Sequence, residues 1–321
     1  MHSPPPLLPA SAMTFSPEPL AALLEALDNE GYAFTTVTPA THQRVLDRRR
    51  GEAAADLRDV FGWSMEFGRE TLPGDLFGLL EEGGALERRG ERYRSLIRVA
   101  SLSGRLFAHS AFPTDEGDSV FFGPDTYRFA RFIEAAAQDM DAPRHLVDLG
   151  AGAGPGGISA AGLLEPEAIT LVDINPKALC LAEANALAAG LEVETVTGSL
   201  ADVSGEIDLV IANPPFIADP EGRDYRDGGE MLGAGLSLDW ARQSLERLAE
   251  GGTMLLYTGS PIVQGEDRLL AALAELAEER EASLRYEELD PDIFGEELGG
   301  GAYAAAGVER IAAIGAVLRR T

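Results

Sequence analysis

Cysteine is almost absent: Cys180 is the only one in 321 residues. That excludes an internal disulfide framework and a zinc site built from several thiolates. Cys180 sits in a helical pattern and reads as buried filler rather than as a nucleophile. Long apolar runs are missing too, and none approaches the roughly 18 residues of a membrane-spanning helix. The opening MHSPPPLLPASAM has no basic stretch, and its prolines break any apolar centre. It does not read as a signal peptide, so a cytoplasmic protein is expected. Histidine is scarce, and His2, His42, His109 and His145 are too scattered in sequence to suggest an acid–base pair.

Positive charge is also in short supply, with 26 Lys+Arg against 53 Asp+Glu and a net charge of −27. The imbalance is uneven. Residues 1–110 hold 12 Arg against 15 acids, whereas residues 111–321 hold 14 bases against 38 acids. Such a surface repels nucleic acid, and a polyanionic partner would have to meet the N-terminal part. What is present is ordinary for a globular protein: 45% apolar and 25% charged residues. The length suits two domains at roughly 150 residues each.

Residues 1–17 are rich in Pro and Ser and are expected to be disordered. Helical patterns follow at 18–30, 39–50, 53–61 and 72–80. Two strand-like runs, Tyr93–Ala100 and Arg105–Phe112, flank a turn-prone connection and read as a hairpin. Helices followed by a hairpin suggest a winged-helix-like recognition module over residues 18–115. Its arginines (Arg88, Arg89, Arg92, Arg94, Arg98, Arg105) suit phosphate contacts, or form a solvated strand face interleaved with Glu87 and Glu91.

From Arg144 onward strand and helix alternate. Strands are expected near 145–149, 168–173, 193–197, 207–212 and 252–258, with helices at 156–164, 176–189, 236–249 and 264–279. That rhythm means βαβ units: an α/β, doubly wound Rossmann-like sheet over residues 120–321. Two later runs, 283–289 and 308–318, close the chain around a glycine-rich loop.

Two stretches carry chemistry. The first is the buried-strand pattern His145–Leu149 with Gly150, Gly152 and Gly154 directly after it. Glycines there let the backbone turn sharply and lie against a ligand. The next strand ends in Asp173, where a carboxylate can accept from ribose hydroxyls. Gly152, Gly154 and Gly157 also fit the dinucleotide fingerprint, so an NAD(P) oxidoreductase competes on spacing. Asp148, inside the strand end, is not part of that fingerprint. It could hold the loop or reach an ammonium group. The second stretch is Val210–Ala212 followed by Asn213-Pro214-Pro215-Phe216, a strand stopped by residues that cannot donate to a ladder.

Together these motifs resemble the class I S-adenosylmethionine-dependent methyltransferases, and within them the methyltransferase small-domain group. That group holds HemK/PrmC-like glutamine methyltransferases and RNA amino-methyltransferases. The resemblance implies S-adenosyl-L-methionine on Asp148, Gly150, Gly152, Gly154 and Asp173, with Asn213 and Thr126 beside it. The adenine contact is left between Ser199 and Asp202, Asp202 also reading as a cap. It implies a clamp in which Asn213 and the Pro214 carbonyl hold the two N–H bonds of a planar nitrogen. Pro215 and Phe216 complete that clamp, Phe216 as a stacking face. Gly123–Thr126 resembles the segment preceding the catalytic domain, and Asp227-Gly228-Gly229 with Gly235-Leu236 a glycine segment of the glutamine enzymes. The implied acceptor is protein glutamine, as in a release factor, or an RNA base; a small molecule stays open. A C-terminal antiparallel strand is expected, and no metal.

Overall fold

The computed structural model describes residues 15–218 and 228–321. Most of the Pro- and Ser-rich opening, and Asp227, lie outside them. Four helices come first: α1 (Pro17–Asn29), α2 (Pro39–Arg48), α3 (Leu57–Phe61) and α4 (Gly74–Glu82). Pro17 opens α1 at a position whose N–H would be unpaired anyway. Leu20, Leu23, Leu24 and Leu27 then form its buried stripe at helical spacing.

Two hairpins follow, where one was expected. β1 (Leu86–Arg89) pairs with β2 (Arg92–Ser95), and β3 (Ile97–Leu102) with β4 (Arg105–Ser110). The expected strand Tyr93–Ala100 divides at Leu96, whose N–H turns to the Ala85 carbonyl. Gly90, at φ +65, supplies the extra turn. Ser103 and Gly104 both take left-handed backbone, the tight hairpin geometry that matches strand twist.

The arginines of this region do not share a face. Arg98 is 3% exposed, and Arg94 is half-buried and donates to the Phe112 carbonyl. Arg89 pairs with Glu87 at 3.0 Å, and the Arg105 guanidinium lies against Gly162. Arg88 and Arg92 stand exposed at the hairpin tip.

Two histidines distant in sequence meet around Arg98. His42 Nε2 lies 3.1 Å from the Trp63 carbonyl and so carries the proton. That leaves Nδ1 to accept from Arg98 Nη1 at 3.4 Å. His109 stands opposite Arg98 across β3 and β4. Burial first, then the Arg98 charge, push His42 down to about 4 and His109 well below the usual imidazole range. The unfolded chain therefore takes up protons first as pH falls below about 6.5, and stability drains away toward pH 4. For His42 the loss at pH 5 is on the order of 2 kcal/mol. Urea midpoints are expected to drop between pH 7.5 and pH 5, and a flat midpoint would contradict this burial.

Beyond α5 (Pro124–Ala137) lies the sheet. Its strands are β5 (His145–Leu149), β6 (Ala168–Asp173), β7 (Glu194–Thr197), β8 (Ile207–Ala212), β9 (Leu248–Val263), the short β10 (Glu266–Asp267), β11 (Ala282–Asp290) and β12 (Val308–Arg320). The helices between them are α6 (Pro155–Leu164), α7 (Pro176–Ala188), α8 (Gly235–Arg247), α9 (Arg268–Glu279) and α10 (Gly301–Ala306). The order is β7-β6-β5-β8-β9-β12-β11, with β10 attached to β9. β5 to β9 run parallel, while β12 is antiparallel to both its neighbours. The strand order reverses at β5, next to β8, which opens a crevice at their carboxyl ends. The glycine-rich stretch before β12, expected as loop, holds α10.

The N-terminal region is not a separate layer. α1 lies along α7, and Ala178, Leu181, Ala184 and the loop residue Ala153 share one core with Leu20, Leu23 and Leu27. Asn185, buried on α7, joins the two parts. It accepts from Ala108 N at 2.7 Å and donates to the carbonyls of Ala108 and Ala153 at 3.0 and 2.8 Å.

Candidate active site

The crevice is walled on one side by the loop after β5. Gly150, Gly152 and Gly154 alternate at φ +71, +55 and +79, left-handed backbone that strains any other residue. Gly154 stands at the entry to α6. The N–H groups of Gly150 and Ala151 both bond the Val172 carbonyl, folding the loop back over β6. A Cβ at Gly152 would meet nothing within 4 Å, so the loop's open side is there.

Two carboxylates hold this loop and the first turn of α6 that follows it. Asp148, 2% exposed, accepts from Gly157 N at 2.7 Å. Burial, with the Asp173 charge adding to it, pushes its carboxyl up to about 7 against the pull of that hydrogen bond. Asp173 accepts from Gly152 N at 2.8 Å and from Asn175 N at 2.9 Å, and burial raises its pKa. Both acids named from the sequence therefore meet at the loop. Ser199 and Asp202 are engaged with each other, the Asp202 carboxylate accepting from the Ser199 amide and hydroxyl at 2.9 and 3.0 Å. That is a capping arrangement on an exposed turn. The Thr126 hydroxyl is buried and accepts from Gly123 N at 3.2 Å, at the start of α5.

The opposite wall is the end of β8. Asn213 and Pro215 are half-buried, Pro214 and Phe216 buried. The Phe216 ring is seated on Gly259 and meets Phe294 edge-on at 5.7 Å. It is 7% exposed, so it supports the strand end from behind, and the half-exposed ring beside it is that of Phe294. The Tyr303 hydroxyl, from α10, accepts from Ala218 N at 2.9 Å. Next to this strand end, Gly228 N donates to the Ile217 carbonyl at 2.9 Å, and Leu236 N to the Gly228 carbonyl at 2.9 Å. The glycine segment singled out in the sequence thus braces the strand end.

Sequence reasoning missed four contributors. Tyr257 donates to Asp125 at 2.7 Å, and Arg128 joins Asp125 and Asp290, tying α5 to β9 and β11. Asn185 fixes the Ala153 carbonyl of the glycine loop. Trp240, on α8, lies against Gly150. None has a motif; each pairs residues far apart in sequence.

A doubly wound sheet reversing at a glycine loop, with a carboxylate at the next strand end, defines a Rossmann-like fold, in which ligands bind at a crevice such as that between β5 and β8. Residues 132–260 match the family model of the methyltransferase small domain. The chain carries that domain over fewer than half of its residues. A release factor glutamine methyltransferase from Deinococcus radiodurans is 29% identical over 66% of this chain and 75% of its own length. A ribosomal RNA small subunit methyltransferase C from Pseudomonas entomophila is 29% identical over 38% of this chain and 35% of its own. A ribosomal protein L11 methyltransferase from Geobacter sulfurreducens is 34% identical over 32% and 36%. The chain thus spans three-quarters of the first relative but only about a third of the other two.

Proposed function

We propose that this protein transfers a methyl group from S-adenosyl-L-methionine to the side-chain amide nitrogen of a protein glutamine. The carrying observation is the facing pair of walls: a left-handed glycine loop held by Asp148 and Asp173, and the strand end Asn213-Pro214-Pro215-Phe216. The residues fit the cofactor. The loop is open beside Gly152, Asp173 can accept from ribose hydroxyls, and Asp148 is a buried carboxylate suited to an ammonium group. Bound there, the cofactor supplies an electrophilic methyl group on a sulfonium.

The chain's own task is geometric. An amide nitrogen has a delocalised lone pair and attacks poorly unless held in line. The Asn213 side-chain oxygen and the Pro214 carbonyl can each accept one N–H bond, which favours a pyramidal nitrogen. Proline carbonyls on stiff backbone lose little on being so used. A protein acceptor is favoured over RNA because the acidic excess lies in residues 111–321 and the N-terminal arginines are dispersed or already paired. Labelled methyl transfer into cell extract tests this. Label in protein, stable to ribonuclease, is expected; label lost on ribonuclease treatment would replace glutamine by an RNA base.

Asp148 gives a pH dependence. Its carboxyl, near pH 7, is neutral below and charged above, and an ammonium group favours the charged form. Affinity for S-adenosylhomocysteine is expected to rise between pH 6 and pH 8, by up to about tenfold per unit shift. Calorimetry should show the rise in the native protein and a flat profile in Asp148→Asn.

A further inference from the structure

Trp240 is the least expected group at the crevice. α8 is fixed to the sheet face by a buried hydrogen bond, 2.7 Å, between Ser237 and Thr258, and by Ala241, Ser244 and Leu245 packed beneath it. Trp240 lies three residues after Ser237 and four before Ser244, so helical spacing turns it toward the same face. There it reaches the carboxyl end of β5 rather than the middle of the sheet. The indole's benzo edge occupies the place of a side chain at position 150: a Cβ there would fall 2.8 Å from Cζ3, closer still to Cη2. Gly150 is therefore glycine twice over, for its φ of +71 and for the ring against it. Trp240 as a whole is only half-buried. A large aromatic surface in partial contact with water, pressed on the first residue of the cofactor loop, is costly to leave bare and well suited to a flat heteroaromatic ring.

We infer that Trp240 is the aromatic wall of the cofactor site, and that the adenine of the bound S-adenosyl compound stacks on its indole. This rests on the proposed cofactor and adds the residue that recognises its base. It also supplies a flat contact where the exposed Ser199–Asp202 turn offers only polar ones. Base–aromatic stacking tolerates exchange of one ring for another and loses about fivefold or more in affinity when the ring is removed.

Tryptophan fluorescence isolates the residue, because Trp63 is the only other tryptophan. S-adenosylhomocysteine is titrated into Trp63→Phe and Trp240→Phe, with calorimetry in parallel on the native protein. The expected result is a saturating emission change in Trp63→Phe, none in Trp240→Phe, and a calorimetric Kd that matches the fluorescence midpoint. Adenosine alone should give the same emission change at higher concentration. Trp240→Phe should keep near-native affinity, and Trp240→Ala should lose at least about fivefold. Calorimetric binding without any change in Trp240 emission would overturn the inference while leaving the cofactor reading intact. Absence of calorimetric binding to the native protein would overturn the cofactor reading itself. Should Trp63→Phe fail to fold, the emission difference between native protein and Trp240→Phe reports the same quantity.

Discussion

Asn213→Ala is expected to lower the rate of methyl transfer by about two to three orders of magnitude. The change removes one of two acceptors that would orient the N–H bonds of the substrate amide, leaving the Pro214 carbonyl alone. Its effect belongs to the chemical step, since a loosely held nitrogen spends little time with its lone pair in line. Single-turnover transfer from labelled cofactor separates that step from product release. A rate within threefold of native would remove Asn213 from the clamp. Because Asn213 is half-buried at the end of a strand, truncation leaves no large void, and thermal unfolding should move little.

Gly228→Ala should have an effect of similar size for a different reason. Its Cβ would lie 2.6 Å from the carbonyl carbon of Gly233 and 2.7 Å from Phe216 Cα. These are backbone atoms, which cannot swing aside as a side-chain tip can. Gly233, at φ +94, is itself pressed on the Phe216 and Ile217 backbone. Room for a methyl group would come only by moving the strand end. A displacement of about 1 Å costs roughly a hundredfold in a reaction governed by alignment. Binding of S-adenosylhomocysteine should survive, because the loop after β5 is held independently by Asp148 and Asp173. Loss of transfer with retained binding is the expected signature. Native transfer by Gly228→Ala would show that the backbone at 228 does not fix the clamp.

Much of the sheet was legible because a buried parallel strand writes itself as a largely apolar run closed by Gly, Asp or Asn-Pro. His145–Leu149, Ala168–Asp173 and Ile207–Ala212 stand where that pattern placed them. The glycines of the loop were legible for the same local reason, since backbone conformation is set residue by residue. Side-chain partnerships were not. Nothing near Trp240 announces Gly150, ninety residues earlier, and Asn185 reads as one polar residue in a helix until Ala108 and Ala153 are brought to it. Leu96 divides two hairpins only because Gly90 offers a turn and Ala85 a partner, which a single uninterrupted strand pattern conceals. Phe216 looks like an open face in the sequence, which does not reveal Gly259 behind it.

The Asn185 contacts carry a consequence for how such proteins diversify. The front part of the chain is wired to the glycine loop through α7, one amide serving both β4 and Ala153. A new targeting segment therefore cannot be attached by simple exchange at a linker. Any graft has to bring its own match for Ala178, Leu181 and Ala184, or the glycine loop loses its outer buttress. The front part of this molecule and its glycine loop are inherited together, as one piece.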